Sequence, residues 1–396
     1  MDDSNIAEFG ISRELYERIV ELRRDLHRHP ELSHKEERTA NRLSEQLKAL
    51  GIPHRIGVAG TGVVADLPGR FSGPSVALRA DTDALPILEE TGLPFASKQT
   101  GVMHACGHDG HSSMLIGAAA MLAQGEPPPL PVRFIWQPAE EVGEGAQEMI
   151  RAGVLENIGM IFGGHLDRRY PAGVLIVTDG PVNASTDTFH IRIQGQQGHG
   201  ARPHEACDAI VVASLMITAL QTIVSREVDP AHPSVISVGA FHAGKAPNVI
   251  AGSAELDGTI RAQDKKVRSH LKSSISRMAQ AIGQLHGAQV SVEFKFGTPS
   301  VVNTPEMTEL ARTAADQVVG PEQVVALHTA NMGGEDFSYY LDQVPGCYIR
   351  FGGQIPDLEG FPAHSSQFDF DERALAAGAA WFARVTHLAG DSLLNQ

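Results

Sequence analysis

The stretch "TDTFHIRIQG", residues 186–195, alternates polar and apolar side chains one by one, the period of a strand with a single buried face. An apolar run of helical length follows, "DAIVVASLMITALQTIVSRE" (208–227), and then two more strand-like runs, "SVISVGAFHAG" (234–244) and "SAELDGTIRAQ" (253–263). A second helical pattern, "KVRSHLKSSISRMAQAIGQLHG" (266–287), leads into "AQVSVEFKFG" (288–297). The order β-α-β-β-α-β is the ferredoxin-like split unit, which keeps its own two-layer core and can sit as an insertion.

On both sides the grammar differs. "RELYERIVELRRDLHRHP" (13–30) and "KEERTANRLSEQLKALG" (35–51) read as helices that stop at Pro30 and Gly51. From residue 60 to 165 short apolar runs alternate with helical patterns, and they do so again after 298, which implies an α/β sheet with substantial parallel pairing. At 396 residues the chain is long for one core. The expected organisation is a domain of residues 1–182 and 298–396 interrupted by a smaller one, 183–297.

Composition narrows the function classes. The net charge is −15 and the densest basic run is the short "DKKVR" (264–268), which argues against nucleic-acid binding. No stretch reads as the roughly 20 apolar residues of a membrane span. The start "MDDSNIAEFG" lacks the pattern of a secretion leader, so a cytoplasmic address is expected. Three scattered cysteines argue against a disulfide framework, and Cys207 and Cys347 read as small buried hydrophobes.

Ligand-type side chains gather at element ends. Asp81 and Asp83 close "VALRADTD"; Cys106 and His108 lie in "MHACGHDGH" (103–111), before a helix; Glu140 and Glu141 end "RFIWQPAEE"; His165 ends "MIFGGH"; His364 precedes the last helix. In open α/β sheets, ligands bind beyond the carboxyl ends of the strands. Cys106 and His108 suit a borderline-soft ion such as Zn²⁺, although the same nonapeptide also reads as a capped turn with Asp109 as N-cap. Glu140 and Glu141 leave an extended segment in different directions. One can ligate while the other takes a proton, or the pair belongs to a solvated acidic loop. In the inserted segment His199, Asn248 and Arg261 are donors for an anionic substrate or ordinary surface groups. His27 and His29 read as partners of a helix C-terminus; His104 and His111 are candidates to support the ligands.

Together "LRRDLHRHPELS", "ALRADTDALP", "MHACGHDGH", "QPAEE", "GHGARPH" and "GGEDF…HSSQFD" resemble the dinuclear-metal aminoacylase and carboxypeptidase family. The resemblance is nearest to the branch of hippurate hydrolases, N-acyl-amino-acid amidohydrolases and auxin-conjugate hydrolases, and it runs over nearly the whole chain. It implies a metallopeptidase-like α/β domain with a mixed sheet, interrupted by a ferredoxin-like dimerisation and lid domain. It implies two divalent ions (Zn²⁺ or Mn²⁺, with Co²⁺ or Ni²⁺ as alternatives), with Cys106 bridging and His108, Glu141, His165 and His364 as terminal ligands. Glu140 matches the general base, Asp83 the aspartate that orients a neighbouring ligand or tunes the site, and His199 the oxyanion donor that reaches across a homodimer, or a higher homo-oligomer built from it. Asn248 and Arg261 match the positions that hold the substrate carboxylate. The implied activity is hydrolysis of N-acyl amino acids; a dipeptidase or carboxypeptidase, a non-catalytic metal-containing binding protein and a thiol-redox protein are the rivals. Three stretches depart from the family pattern: "GHLDRRYP" lacks an expected aromatic residue, Ser366 replaces a usual proline, and glycines precede Glu335.

Overall fold

The computed structural model describes residues 9–356 and 361–396, so most of the acidic start discussed above, residues 1–8, lies outside them. The chain forms two compact units, one of residues up to 180 with 302–328 and 336–396, the other of 181–301 with 329–335.

The larger unit is built on an eight-stranded sheet. Its order is His54–Val58, Gly62–Leu67, Val132–Gln137, Ser75–Asp81, Ile158–Pro171, Gly346–Gln354, Leu175–Ile176, Val324–Val325. The four central strands run parallel, and antiparallel pairs flank them on either side, so the sheet is mixed. Ser75–Asp81 is buried at every position, as expected of a strand covered on both faces. The His108–Gln124 helix is apolar nearly all round and is buried nearly all round, between the helices Arg13–Arg28 and Arg373–Leu394. Small residues permit that approach: a Cβ at Gly117 would meet Ala379 Cβ at 2.7 Å, and one at Gly378 would collide with Met114 Sδ. The helix that carries His108 is therefore fixed on two sides before any ligand is considered.

The smaller unit is a four-stranded antiparallel sheet in the order Ser234–Ala243, Ser253–Ala262, Ser185–Gln194, Gln289–Phe296, which is the ferredoxin-like arrangement. Phe189, Ile191 and Ile193 point to one face and pack with Val212, Met216, Leu271 and Ile275 of the helices Ala209–Thr222 and Lys265–His286. Alternate residues Thr188, Arg192 and Gln194 stay exposed, the alternation read in 186–195.

Three expectations need correction. Residues 329–335 belong to the smaller unit, because Asn331 N–H donates to Val182 O at 3.0 Å and Ala184 N–H donates to Asn331 O at 2.9 Å. The strand holding His165 does not end there; it continues to Pro171 and keeps its pairing with the 346–354 strand. Residues Ala209–Glu227 do form a helix long and apolar enough to cross a membrane by length and composition. One face of that helix, Val212, Ala213, Met216 and Leu220, packs into the unit's own core.

Candidate metal and catalytic site

Gly107 is the N-cap of the 108–124 helix at φ 90°, a left-handed conformation open to glycine, and a Cβ there would meet Leu166 Cδ1 at 2.9 Å. This turn delivers Cys106 and His108 from consecutive sides of one glycine. Asp109, expected as the N-cap, lies instead inside the first turn. Its Oδ2 accepts from Arg23 Nε at 3.0 Å and His27 Nδ1 at 2.9 Å, with all three side chains buried. His27 thus serves Asp109 and Glu89 rather than a helix end, while His29 is the C-cap of the first helix.

The predicted ligands of the larger unit converge. Cys106 Sγ lies 3.2 Å from His165 Nε2, His364 Nε2 3.4 Å from Glu141 Oε2, and His108 Nε2 3.8 Å from Glu141 Oε1 and 3.9 Å from Glu140 Oε2. Three overlapping triplets have all their donor atoms within 4.8 Å of one another: Cys106, His108 and His165; Cys106, Glu141 and His364; His108, Glu140 and Glu141. Cys106 belongs to two of them.

Hydrogen bonds settle which ring nitrogens face the cluster. His165 Nδ1–H donates to Leu166 O at 2.7 Å and His108 Nδ1–H to Asp83 O at 3.0 Å, so each ring turns Nε2 inward. His108 Nε2 and Glu141 Oε1 are buried and find no hydrogen-bond partner among the described residues, an arrangement that a cation between them would satisfy. Burial, with His111 and Arg350 nearby, holds His165 well below its ordinary value, in the neutral form a ligand needs. Burial disfavours charge on His108 too, but Asp81, Cys106 and Asp83 together outweigh it and hold that group well above its ordinary value. Burial pushes the Cys106 thiol up to about 12, with Glu141 adding to the effect, so no free reactive thiolate exists at neutral pH without a cation to create it. A soft sulfur, imidazoles and a carboxylate form a donor set suited to Zn²⁺ and its neighbours.

Asp83 is a hub. Its Oδ2 accepts Ser33 Oγ–H at 2.7 Å and Glu141 N–H at 3.0 Å, and its Oδ1 lies 3.3 Å from His108 Nδ1. His111 is not a ligand, since both nitrogens are engaged: Nε2 accepts Leu166 N–H at 2.9 Å, so Nδ1–H donates to Asp81 Oδ1 at 2.7 Å. It thereby ties the strand next to His165 to the end of Ser75–Asp81. His104 is buried with no partner for either nitrogen among the described residues, and burial pulls it down to about 4.

Sequence reasoning did not single out Glu36, Arg79 or Asp336. Asp336 accepts from Arg79 Nη2 at 2.8 Å, from Gln137 Nε2 at 2.9 Å and from Ala146 N–H at 2.9 Å, which pins both ends of the loop carrying Glu140 and Glu141. Within that loop Ala139 takes φ 55°, a conformation that costs a non-glycine residue about 1–3 kcal/mol.

In the smaller unit His199 and Asn248 are neighbours: the 198–199 strand pairs with Val249–Ile250, and Gly200 N–H donates to Asn248 O at 2.9 Å. Ala201 N–H donates to His199 Nδ1 at 3.0 Å, leaving the exposed Nε2–H as an outward donor. Arg261 lies on the open sheet face opposite Thr186 and Val235, half-buried, its side chain without a hydrogen bond among the described residues.

A family model described as peptidase family M20/M25/M40 matches residues 77–387. The chain belongs to this family. Among its M20/M25/M40 relatives is the N-acyl-L-amino acid amidohydrolase of Geobacillus stearothermophilus, 43% identical over 295 residues, which are 73% of this chain and 78% of that one. The N-acetylcysteine deacetylase of Bacillus subtilis is 39% identical over 374 residues, covering 93% and 96%. Thermostable carboxypeptidase 1 of Saccharolobus solfataricus is 41% identical over 382 residues, covering 93% and 94%. A solved Bacillus subtilis structure, described as a dinuclear metal-binding peptidase from the M20 family, superposes with a TM-score of 0.86 at 36% identity over 96% of this chain and 99% of that one. With these relatives, this M20/M25/M40 member is a hydrolase of amide bonds.

Proposed function

We propose that the protein cleaves the amide bond of N-acyl or N-aroyl amino acids, releasing a carboxylate and a free amino acid. The observation that carries this reading is the convergence of Cys106, His108, Glu141, His165 and His364, with Glu140 at its rim. These five residues would hold two divalent ions, Zn²⁺ or Mn²⁺. When bound, the ions lower the pKa of water and polarise the scissile carbonyl. Glu140 accepts the proton of the attacking water and returns it to the leaving amine. Asp83 fixes the orientation of His108 and of the Glu141 main chain. His199 offers Nε2–H to the oxyanion in the centre of a partner subunit, a type of donor whose loss typically costs about 10²–10³ in rate. Asn248 and Arg261 take the substrate carboxylate, for which an arginine fork is suited.

A homodimer fits the surface of the smaller unit, where Ile210, Val211 and Leu215 are exposed on one helix. A cytoplasmic address is part of the same reading, because the three cysteines are free and Cys106 must stay reduced to ligate. The identity with a carboxypeptidase favours one alternative, hydrolysis of peptide substrates at the same centre. Amine release from N-acetyl and N-benzoyl amino acids and from dipeptides, by metal-loaded wild type beside Glu140→Gln, tests both. Turnover by wild type alone is expected, and dipeptides as the best substrates would replace the first reading by the second. Equal turnover by Glu140→Gln would refute the role given to Glu140.

A further inference from the structure

Glu36 occupies the N-cap position of the Glu37–Ala49 helix, where a short polar side chain such as Ser, Thr, Asp or Asn ordinarily accepts the free N–H groups of its own helix. Here it makes no such bond. Glu31 does that work instead: its Oε1 accepts Arg38 N–H at 3.0 Å and its Oε2 accepts Thr39 N–H at 2.8 Å. Glu36 is thus released to turn inward, where it is fully buried. Its Oε2 accepts Thr61 Oγ–H at 2.7 Å, and its Oε1 accepts Ala139 N–H at 2.9 Å.

Ala139 is the residue in the left-handed conformation, and it immediately precedes Glu140 and Glu141. The loop then closes on itself, with Gly145 N–H donating to Ala139 O at 3.1 Å and Gly143 N–H to Glu140 O at 2.7 Å. Both faces of residue 139 are therefore spoken for, its N–H by Glu36 and its carbonyl by the returning chain. Among the described residues the buried Ala139 N–H has no other acceptor, so without Glu36 the peptide would gain by rotating away from φ 55°. Rotation there would swing the directions in which the next two side chains leave the backbone.

We propose that Glu36 is a positioning residue for the paired glutamates: by accepting Ala139 N–H it keeps residue 139 left-handed and so aims Glu140 and Glu141 at the His108 and His364 side chains. The proposal rests on the amide-hydrolase reading above. What the role requires is an acceptor at the right reach, not a charge. Burial and the nearby Asp83 push the Glu36 carboxyl upward, and a glutamine would offer the same Oε1 while its Nε2 donates to Thr61 Oγ.

The test is a series in the full-length chain, Glu36→Gln, Glu36→Asp and Glu36→Asp with Ala139→Gly, after each variant is checked for folding by circular dichroism. Two quantities are read: Zn²⁺ affinity by competition with a chromophoric chelator, without substrate, and kcat and KM on the best N-acyl amino acid. Glu36→Gln should keep both within about threefold. Glu36→Asp withdraws the acceptor by roughly one carbon–carbon bond, about 1.5 Å. It should weaken Zn²⁺ binding and lower kcat by about tenfold or more, with KM little changed, since displacements near 1 Å cost that much. Adding Ala139→Gly should recover part of both losses, because glycine adopts φ 55° without being held there.

A good Asp variant beside a poor Gln variant would overturn the proposal, because charge would then matter and reach would not. So would a loss that Ala139→Gly leaves untouched, or full activity and affinity in Glu36→Asp. If Glu36→Asp does not fold, Glu36→Gln decides: retained affinity supports the acceptor role and a tenfold loss overturns it. Wild type that hydrolyses no amide, with the Zn²⁺ series intact, would refute the functional reading and leave the positioning role standing.

Discussion

Replacing Asp109 by asparagine should destabilise the larger unit by about 3 kcal/mol. Asp109 and Arg23 are both essentially inaccessible, and the change keeps volume while removing the charge that faces Arg23 Nε at 3.0 Å. Removing one partner of a buried ion pair costs about 3–5 kcal/mol, because the other charge stays in the interior. The lower end applies here. Arg23 retains Asp369 at 2.8 Å and Glu372 at 3.2 Å, and its guanidinium lies 4.7 Å and 4.4 Å from the ring centres of Phe95 and Phe370. Tryptophan fluorescence during urea unfolding measures the loss without interference. The chain has two tryptophans, Trp136 and Trp381, and both are fully buried in the larger unit, so the smaller unit is silent. Trp136 also donates to Ser112 O at 3.2 Å, on the helix whose first turn holds Asp109. A loss below about 1 kcal/mol would mean that Asp369, Glu372 and the two rings suffice for Arg23, and the argument from burial would fail.

Other perturbations have equally definite outcomes. Gly107→Ala combines a left-handed backbone, about 1–2 kcal/mol, with crowding against Leu166, about 1–3 kcal/mol; it should lower stability by roughly 2–5 kcal/mol and weaken Zn²⁺ binding, and an unchanged unfolding midpoint would count against it. Cys106→Ala should lower Zn²⁺ affinity by at least the 10–100-fold typical of groups that merely orient ligands, read by chelator competition; unaltered affinity would remove Cys106 from the ligand set. In the smaller unit, Asp187 is buried, but Arg268 and Lys272 at 2.7 Å and 2.8 Å hold its carboxyl below the ordinary value. Its stabilisation is therefore complete above the unfolded value near 3.9 and is lost as pH falls through the lower folded one. The stability gap between wild type and Asp187→Asn, read by far-ultraviolet circular dichroism, should shrink below about pH 4. A constant gap would refute that assignment.

What the sequence disclosed follows from the range of the interactions involved. The strand period in 186–195 and the helical runs after it are local, and they led to the ferredoxin-like unit. Cys106, His108, Glu140 and Glu141 stood out because two short motifs carry them to the edge of the sheet. Glu36 and Ala139 are partners across 103 positions, and Arg79 and Asp336 across 257, so no local period marks them. Asp109 misled for a related reason. Its type and place suit an N-cap, yet Arg23, 86 residues earlier, claims the carboxylate while Gly107 starts the helix. A single unusual signal was available for the Glu36 clasp: Glu31 and Glu36 both precede one helix start, which needs only one of them.

The return of residues 329–335 to the smaller unit has a practical consequence for dissecting this chain. A gene fragment cut at 181 and 301 would look like a complete module, with all four strands and both helices. It would lack Asn331, and so Val182 O and Ala184 N–H would lose their partners, as Asn183 Nδ2 would lose the Gly333 carbonyl at 3.2 Å. A transplantable version needs that seven-residue patch sewn back, through a linker or a permuted order of segments.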